Sequence, residues 1–279
     1  SQRHPGRPCR RAGRRAVNLA PYVEFAKKAF AREATYRVEV FTNIGSLVLR
    51  VYLVRSIWTA LYAQNAAPAN ISLHAMITYS TVALLMSLVL EVDGTRLIRE
   101  KVRDGSIATD LMKPINVPAY FFSDGFGQTI FHAMTIVPSL IFALLLVHID
   151  LPTPAAAAGF AITLALGYLV NFFINFLLNS IAFWTIESGH IQLIVRWVSD
   201  LLSGQIIPLT LFPGVLGKVV AFLPFAAIYS APLRIYIGDI KPSDYGATIL
   251  SQLAWLAVFT GAAALIWRSA ERRIVIQGG

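Results

Sequence analysis

The sequence predicts an all-α integral membrane protein with six transmembrane helices, on three observations. Hydrophobic residues make up 56% of the 279 residues and charged residues only 14%, whereas a soluble domain has roughly 25% charged residues. Several tracts hold the roughly 20 apolar residues that cross a bilayer core about 30 Å thick. The basic residues behind the net charge of +9 lie at the ends of these tracts, so lipid head groups and the positive-inside bias explain them better than nucleic acid does.

The N-terminal part divides into a tail and a helix. Residues 1–19 are rich in Arg, Gly and Pro and are expected to form a disordered basic tail. Cys9 is the only cysteine, which excludes an intrachain disulfide and a cysteine-based metal site. Residues 20–37 alternate apolar and charged positions at helical spacing, which predicts an amphipathic helix on the membrane surface. The same residues could instead extend the first span.

The remaining chain is expected to form one six-span domain over residues 38–268 and a cytoplasmic tail over 269–279. The spans lie at about residues 41–63, 74–90, 117–147, 155–184, 191–212 and 245–267. Between the last two, prolines and glycines break an apolar stretch into pieces too short to cross a bilayer. This predicts re-entrant or external short helices, marked by Pro213, Pro224, Phe225, Tyr229 and Pro232.

A charged loop, residues 91–114, separates the second and third spans and sets the orientation. It holds five basic and five acidic side chains between two tracts that carry almost no charge. Cytoplasmic loops retain Lys and Arg because these residues cross the bilayer at high cost. The loop, the N-terminal segment and the C-terminal tail together hold most of the 24 Lys and Arg residues. We therefore expect a multi-pass protein of the bacterial inner membrane with both termini in the cytoplasm.

Polar residues inside the spans are candidate functional residues. An arginine at mid-bilayer costs about 2.5–3.5 kcal/mol on insertion scales, so Arg50 and Arg55 are expected to face protein or water unless they snorkel to head groups. Their candidate partners are Asp124, Glu187 and Asp200. Such residues either join neighbouring helices or line a wet path. The further polar positions are Gln128 and His132 in span three, Asn171, Asn175 and Asn179 in span four, and Arg196, one turn before Asp200, in span five.

Arg196 and Asp200 are spaced so that they could neutralise each other. His132 has no partner at metal-ligand spacing, so no metal site is predicted. The asparagines fit helix packing better than a conducting path, because polar contacts between spans are common.

Short runs within this pattern resemble a known family. They are Arg103-Asp104-Gly105-Ser106-Ile107-Ala108-Thr109-Asp110-Leu111, Leu211-Phe212-Pro213, and Leu223-Pro224-Phe225 with Tyr229, Pro232 and Tyr236. Together with the order of the spans, they resemble the permease subunit of a bacterial type-2 ABC exporter. The similarity is to the branch that has two different permeases and a separate ATPase.

The resemblance implies roles for two segments. In that family the loop between spans two and three is a cytoplasmic coupling helix that docks in a groove of the ATPase, and the amphipathic segment is a connecting helix. The implied docking residues are Arg99, Glu100, Arg103, Asp104, Gly105, Ser106, Ile107, Asp110 and Leu111. The implied connecting-helix residues are Phe25, Lys27, Lys28, Phe30 and Arg32. Without the resemblance, the charged loop would be interpreted as a solvated cytoplasmic loop that follows the positive-inside rule.

The chain is not expected to be an enzyme. A phosphate-binding loop ends in Gly-Lys-Ser or Gly-Lys-Thr, whereas residues 214–219 end in Gly-Lys-Val. The resemblance implies that ATP and Mg²⁺ bind to two partner nucleotide-binding subunits, with no cofactor in this chain. It also implies a second six-span permease, a non-identical homologue, in contact with membrane lipids, and a hydrophobic or amphipathic substrate.

Two other functions remain open from the sequence. An ion- or proton-coupled secondary transporter could use Arg50, Asp124, His132 and Asp200 as a midplane site. A non-transporting membrane scaffold would use the polar stripes for packing alone.

Overall fold

The structure, a computed structural model, describes residues 19–35, 37–64, 71–185 and 189–277. These residues form helices joined by turns and contain no strand. The predicted all-α membrane class is therefore confirmed. The expected basic tail up to residue 18, Cys9 and the candidate partner Glu187 lie outside the described residues.

Eleven α-helices occur in the described part of the chain. They are α1 Ala20–Ala34, α2 Arg37–Ala63, α3 Leu73–Leu90, α4 Arg96–Arg103, α5 Ile107–Leu111, α6 Val117–Leu146, α7 Pro154–Ser180, α8 Gly189–Leu202, α9 Gly214–Phe222, α10 Ser230–Tyr236 and α11 Tyr245–Gln277. Short 3₁₀ turns lie at Ile181–Phe183, Leu209–Leu211, Pro224–Ala227 and Pro242–Asp244.

Side-chain caps fix where three of the long helices begin. The Ser72 hydroxyl accepts a hydrogen bond from the Ala75 amide at 3.1 Å before α3. The Asn116 and Thr153 side chains cap α6 and α7 in the same way. These side chains satisfy backbone amides that have no partner within the helix.

Among the described residues, five helices are long and apolar enough to cross a membrane. They are Val40–Ala63, Leu73–Leu90, Val117–Leu146, Pro154–Phe183 and Pro242–Arg272. Their bounds lie close to those of the corresponding predicted spans, and only the last begins and ends several residues beyond its prediction.

The predicted fifth span, about residues 191–212, is not among these helices, so the described residues show five of the six predicted spans. Instead of a helix over residues 191–212, the structure has the 14-residue helix α8. At about 1.5 Å per residue, α8 is roughly 21 Å long, less than the ~30 Å of a bilayer core. The helix stops before Gly204, whose φ of 86° lies in a region that glycine adopts without steric cost.

The innermost spanning helix is α3. About 67% of its most apolar window is buried, compared with 11% for both α2 and α11. Tyr79, Met86 and Leu90 of α3 pack in one core cluster with side chains of α2, α7 and α10. The outer helices keep apolar faces exposed, as lipid contact requires.

A second core cluster fixes the charged loop to the bundle. Ile98 of α4 and Ile107, the first residue of α5, pack with aromatic residues of α6 and α7. The ring of Trp267, from α11, lies 6.2 Å from that of Phe121 and 5.8 Å from that of Phe176. The loop is therefore anchored by its apolar side chains at one end of the bundle.

Short helices occupy the stretch between α8 and α11, as predicted. Helix α9 has nine residues and α10 has seven, so neither can cross a bilayer. Pro213 precedes α9, Pro224 begins a 3₁₀ turn that contains Phe225, and Pro232 lies inside α10. The amide of Gln252 joins this region to α7 and α11 by donating to the Thr163 and Ala227 carbonyls at 2.9 and 2.8 Å.

Candidate functional site

The charged loop folds as two short helices around one tight turn. Gly105 lies between α4 and α5 with a φ of 78°, a backbone conformation that favours glycine. The Asp104 carboxylate accepts a hydrogen bond from the Ser106 amide at 2.9 Å. Hydrogen bonds from Ser106 lower the pKa of Asp104, so its carboxylate stays ionised in the turn.

The inner face of the loop contains an acid bound by two lysines. Asp110 is only 4% exposed, and its carboxylate accepts hydrogen bonds from Lys101 and, at 2.6 Å, from Lys113. Burial alone would raise the pKa of Asp110, but the hydrogen bonds and charges of the two lysines outweigh burial and lower it. Asp110 and the buried Ile107 therefore hold the loop together, although both stand among the predicted docking residues.

The outer face of the loop is the surface that a partner could reach. Its exposed residues are Glu100, Arg103, Asp104, Gly105, Ala108, Thr109 and Met112, which we call the docking face. Met112 is 80% exposed, an apolar side chain among charged ones. Of the other predicted docking residues, Arg99, Ser106 and Leu111 are half-buried.

Replacing Asp110 with asparagine is expected to loosen the loop, because both lysines lose their ionic partner. Hydrogen bonds to charged groups contribute about 1.5–3 kcal/mol each, so hydrogen–deuterium exchange of the α4–α5 amides should rise at least about tenfold. The exposed Glu100→Gln, which removes only a surface pair with Arg96, should change little. Because the pKa of Asp110 is lowered in the fold, its stabilisation is complete above about pH 4 and is lost as the pH falls through the lowered value.

Hydrogen bonds connect the loop to α7 and α8. The Asn179 amide of α7 donates to the Thr95 hydroxyl at 2.8 Å and to the Asp93 carboxylate at 3.2 Å. Its oxygen accepts from Gln192 of α8 at 3.0 Å, and the Gln192 oxygen in turn accepts from Arg99 of α4. Movement of α4 is therefore linked to both helices by direct bonds.

A close backbone contact connects the loop to α6. A Cβ atom on Gly94 would lie 2.1 Å from the Cα atom of Gly125. The turn before α4 and helix α6 cannot approach so closely with larger side chains between them. The crossing therefore requires glycine at both positions.

Helix α1 packs along the first half of α6. The Tyr22 hydroxyl accepts a hydrogen bond from the Asn116 backbone amide at 2.9 Å. Further contacts follow at successive positions along both helices. They are Phe25 with Tyr120 at 4.7 Å between ring centroids, Phe30 with Phe131 at 5.5 Å, and Ala26 against Gly127. The predicted polar residues Lys27 and Lys28 are exposed on the opposite face.

An ion pair reinforces this packing. The Arg32 guanidinium donates to both oxygens of Asp124, at 2.9 and 3.3 Å, and Gln128 donates to the same carboxylate at 2.8 Å. The Asp124 side chain is only 5% exposed. The hydrogen bond to Asp124 raises the pKa of Arg32, so the guanidinium stays charged. Asp124 thus pairs with Arg32 of α1 rather than with Arg50 or Arg55.

Behind the charged loop lies a polar cavity of about 760 Å³. Its walls come from α2, α3, α6, α7, α8 and the start of the charged loop. Most of the polar span residues predicted from the sequence line it, namely Arg50, Gln128, His132, Asn171, Asn175, Asn179, Arg196 and Asp200. The cavity is also lined by Glu91, Gln192 and Glu33, which no sequence pattern indicated as candidate functional residues. Glu91 belongs to the charged loop and Glu33 to the amphipathic helix, and the sequence pattern of those segments gives no indication that they line a cavity.

Several lining residues are already bonded within the protein. Arg196 lies 3.1 Å from the Glu91 carboxylate, so it does not pair with Asp200 as the spacing suggested. Asn171 donates to the Leu90 carbonyl, and Asn175 donates to the Asn171 carbonyl at 3.0 Å.

Of the predicted residues His132 and Arg55, only His132 lines the cavity. His132 lies 3.9 Å from Glu33, while Arg55 lies away from the cavity and donates to the Leu146 carbonyl of α6. In the described ranges, no group of three or more His, Cys, Asp or Glu residues is placed to hold a metal ion.

Long apolar helices around a polar cavity, with a charged loop bonded to the cavity walls, define the membrane component of a transporter. A family model, described as ABC-2 family transporter protein, matches residues 42–278, which is most of the chain. The chain therefore belongs to this family, and is a multi-pass permease that works with an ATPase subunit. No curated protein matches the chain.

Proposed function

We propose that this chain is one permease half of an ATP-driven exporter. The complex contains two copies of a separate nucleotide-binding subunit, which bind ATP and Mg²⁺, and one of them docks on the docking face in the cytoplasm. A second six-span permease, non-identical to this one, completes the path, and both termini lie in the cytoplasm. The observation that carries the proposal is the charged loop itself, which is exposed on one face and bonded to the spans on the other.

The bonds within the site suggest how the movement is transmitted. When the nucleotide-binding subunits close, the docking face moves with them and carries α4. Arg99 then acts on Gln192 and Asn179, so α8 and α7, two walls of the cavity, move in response. The glycine crossing of Gly94 and Gly125 couples the same movement to α6 and, through Arg32 and Asp124, to α1.

The position of the cavity supports export of a substrate from the cytoplasm or the inner leaflet. Asp93, Arg96 and Arg99 of the charged loop are among its lining residues. A substrate would thus enter beside the docking face. Secondary transport would require Asp124 to be available to an ion, but its carboxylate is held by Arg32 and Gln128, which weighs against that function.

Reversing charge on the docking face is expected to detach the ATPase. The Asp104→Lys variant should retain at most about a tenth of the nucleotide-binding subunit during purification in mild detergent, because like charges across an interface cost several kcal/mol. The matched control is Asp244→Lys, an equally exposed acid between α10 and α11, which should retain all of it.

Purification of the wild-type subunit from its own membrane provides the readout, with an ATPase assay on the product. The proposal fails if the wild-type chain purifies without any nucleotide-binding subunit and transport continues in cells depleted of ATP. It also fails if Asp104→Lys and Asp244→Lys retain the ATPase equally.

A further inference from the structure

We propose that the polar cavity binds a phosphate-bearing head group that also carries a hydrogen-bond donor, such as an amine or a hydroxyl. This inference rests on the proposed function, because it names the chemistry of what the permease moves. Three lining side chains, Arg50, Tyr229 and Asp200, carry the argument.

Arg50 supplies a cation that the protein itself does not use. It lies in the middle of α2, and among the described residues its guanidinium has no hydrogen-bond or ion-pair partner. Its neighbours Leu47 and Val51 are 3% and 1% exposed, whereas Arg50 itself is exposed at the cavity. A guanidinium within a span is costly unless it is paired, and its planar donors suit phosphate oxygens.

Tyr229 supplies a second unused polar group deeper in the cavity. Its side chain lines the cavity and is only 4% exposed. The hydroxyl is buried with no hydrogen-bond partner in the part of the chain that the structure describes. Buried hydroxyls are normally satisfied, so a group that accepts or donates a hydrogen bond is expected beside it when the cavity is filled.

Asp200 is the reason that the ligand is expected to carry a hydrogen-bond donor. Its carboxylate also lines the cavity and has no hydrogen-bond or ion-pair partner within the described residues, since Arg196 pairs with Glu91. Other charged lining groups are occupied: Arg99 bonds Gln192, and Asp93 bonds Thr95 and Asn179. Among the described lining residues, Arg50 and Asp200 are thus a cation and an anion without a partner, and Tyr229 adds a buried hydroxyl without one. Together they match a phosphate with an amine or hydroxyl next to it.

Two features favour a lipid as the source of this head group. A volume of about 760 Å³ is within the usual range of ligand pockets and can hold a head group. Beside the cavity, α8 exposes Ile194 at 64% and Trp197 at 67%, and α2 exposes Leu49 at 58%. Acyl chains could remain against these apolar faces while the head group enters the cavity.

The test is lipid binding to the purified complex, measured by native mass spectrometry with four probes. Phosphatidylethanolamine offers both phosphate and donor, phosphatidylcholine offers phosphate alone, and diacylglycerol offers a hydroxyl donor without phosphate. Glycerophosphoethanolamine has the head group without acyl chains. We expect phosphatidylethanolamine to bind best and diacylglycerol worst. Equal binding of glycerophosphoethanolamine would identify a soluble phosphate compound as the source, and its failure to bind would identify a lipid.

Two variants test the residues. Arg50→Ala should weaken phosphatidylethanolamine binding about tenfold or more, and Tyr229→Phe about threefold to tenfold, as charged and neutral hydrogen bonds predict. Both should fold, because neither side chain makes a hydrogen bond within the described residues. The matched control is Arg55→Ala, which removes an arginine from the same helix outside the cavity and should leave binding unchanged.

Three results would overturn the inference: diacylglycerol binding as well as phosphatidylethanolamine, unchanged binding in both cavity variants, or loss of the second permease from Arg50→Ala. The last would mean that Arg50 faces a protein partner. Retention of the nucleotide-binding subunit is measured on the same samples. If both cavity variants retain the nucleotide-binding subunit and bind lipid as the wild type does, the cavity assignment fails while the proposed exporter function stands.

Discussion

Replacing Gly127 with valine is expected to separate α1 from the bundle. A Cβ atom at this position would lie 2.1 Å from the carbonyl oxygen of Ala26 and 2.8 Å from its carbonyl carbon. These are backbone atoms, so no side chain can rotate away, and α1 must move off α6. The contacts of Phe25 and Phe30 with α6 would be lost together.

The cost should equal or exceed the roughly 1–3 kcal/mol of ordinary overpacking. It should appear as a lower thermal midpoint in detergent and as faster tryptic cleavage at Lys27 and Lys28. Gly261→Val is the matched control, since no atom lies within 4 Å of a Cβ built there, and it should leave both readouts unchanged. If Gly127→Val behaves like this control, α1 does not pack on α6.

Removing Arg32 should have the second large effect, because it leaves a buried carboxylate without its cation. Breaking a buried ion pair costs about 3–5 kcal/mol, and the partial exposure of Arg32, whose side chain is 47% accessible, places the expected loss towards the lower end. Asp124→Asn alone should cost less, since an amide can still accept from Gln128.

A double-mutant cycle separates the ion pair from the packing. Combining Arg32→Ala with Asp124→Asn should recover stability relative to Arg32→Ala alone, with a coupling energy of about 1 kcal/mol or more. Chemical denaturation of the purified subunit in detergent would measure it. Strictly additive losses would show that the two side chains do not interact.

The spans could be predicted because length and hydropathy are local properties. The second span was predicted over residues 74–90 and observed as Leu73–Leu90; the third was predicted over 117–147 and observed as Val117–Leu146. The fifth was predicted too long because residues 203–212 are largely apolar, while the helix ends at Leu202, just before the positive-φ Gly204. The mean hydropathy of residues 203–212 does not indicate the turn at Gly204.

The pairings could not be predicted because they join residues distant in sequence. Arg32 and Asp124 are 92 positions apart, and no local pattern indicated that the connecting-helix arginine would reach the third span. Arg50 and Arg55 looked equivalent in the sequence. Five residues along a helix turn through about 140°, which is why one lines the cavity and the other bonds the Leu146 carbonyl.

That the charged loop has one buried and one exposed face could be predicted from the sequence. Ile107 and Asp110 are three residues apart and so share a helix face, which the structure buries. Which face turns inward depends on the aromatic cluster of α6, α7 and α11, and this contact is tertiary. The resemblance marked the whole run without distinguishing the faces.

Photo-crosslinking from the docking face tests most directly whether a nucleotide-binding subunit docks there. A photoreactive residue would replace Met112, which is 80% exposed, or, as the control, Val215 of α9, which is 76% exposed. In intact membranes we expect the Met112 position to cross-link to a nucleotide-binding subunit and the Val215 position not to. Cross-linking of neither position to such a subunit, in a preparation whose transport requires ATP, would contradict docking at the charged loop.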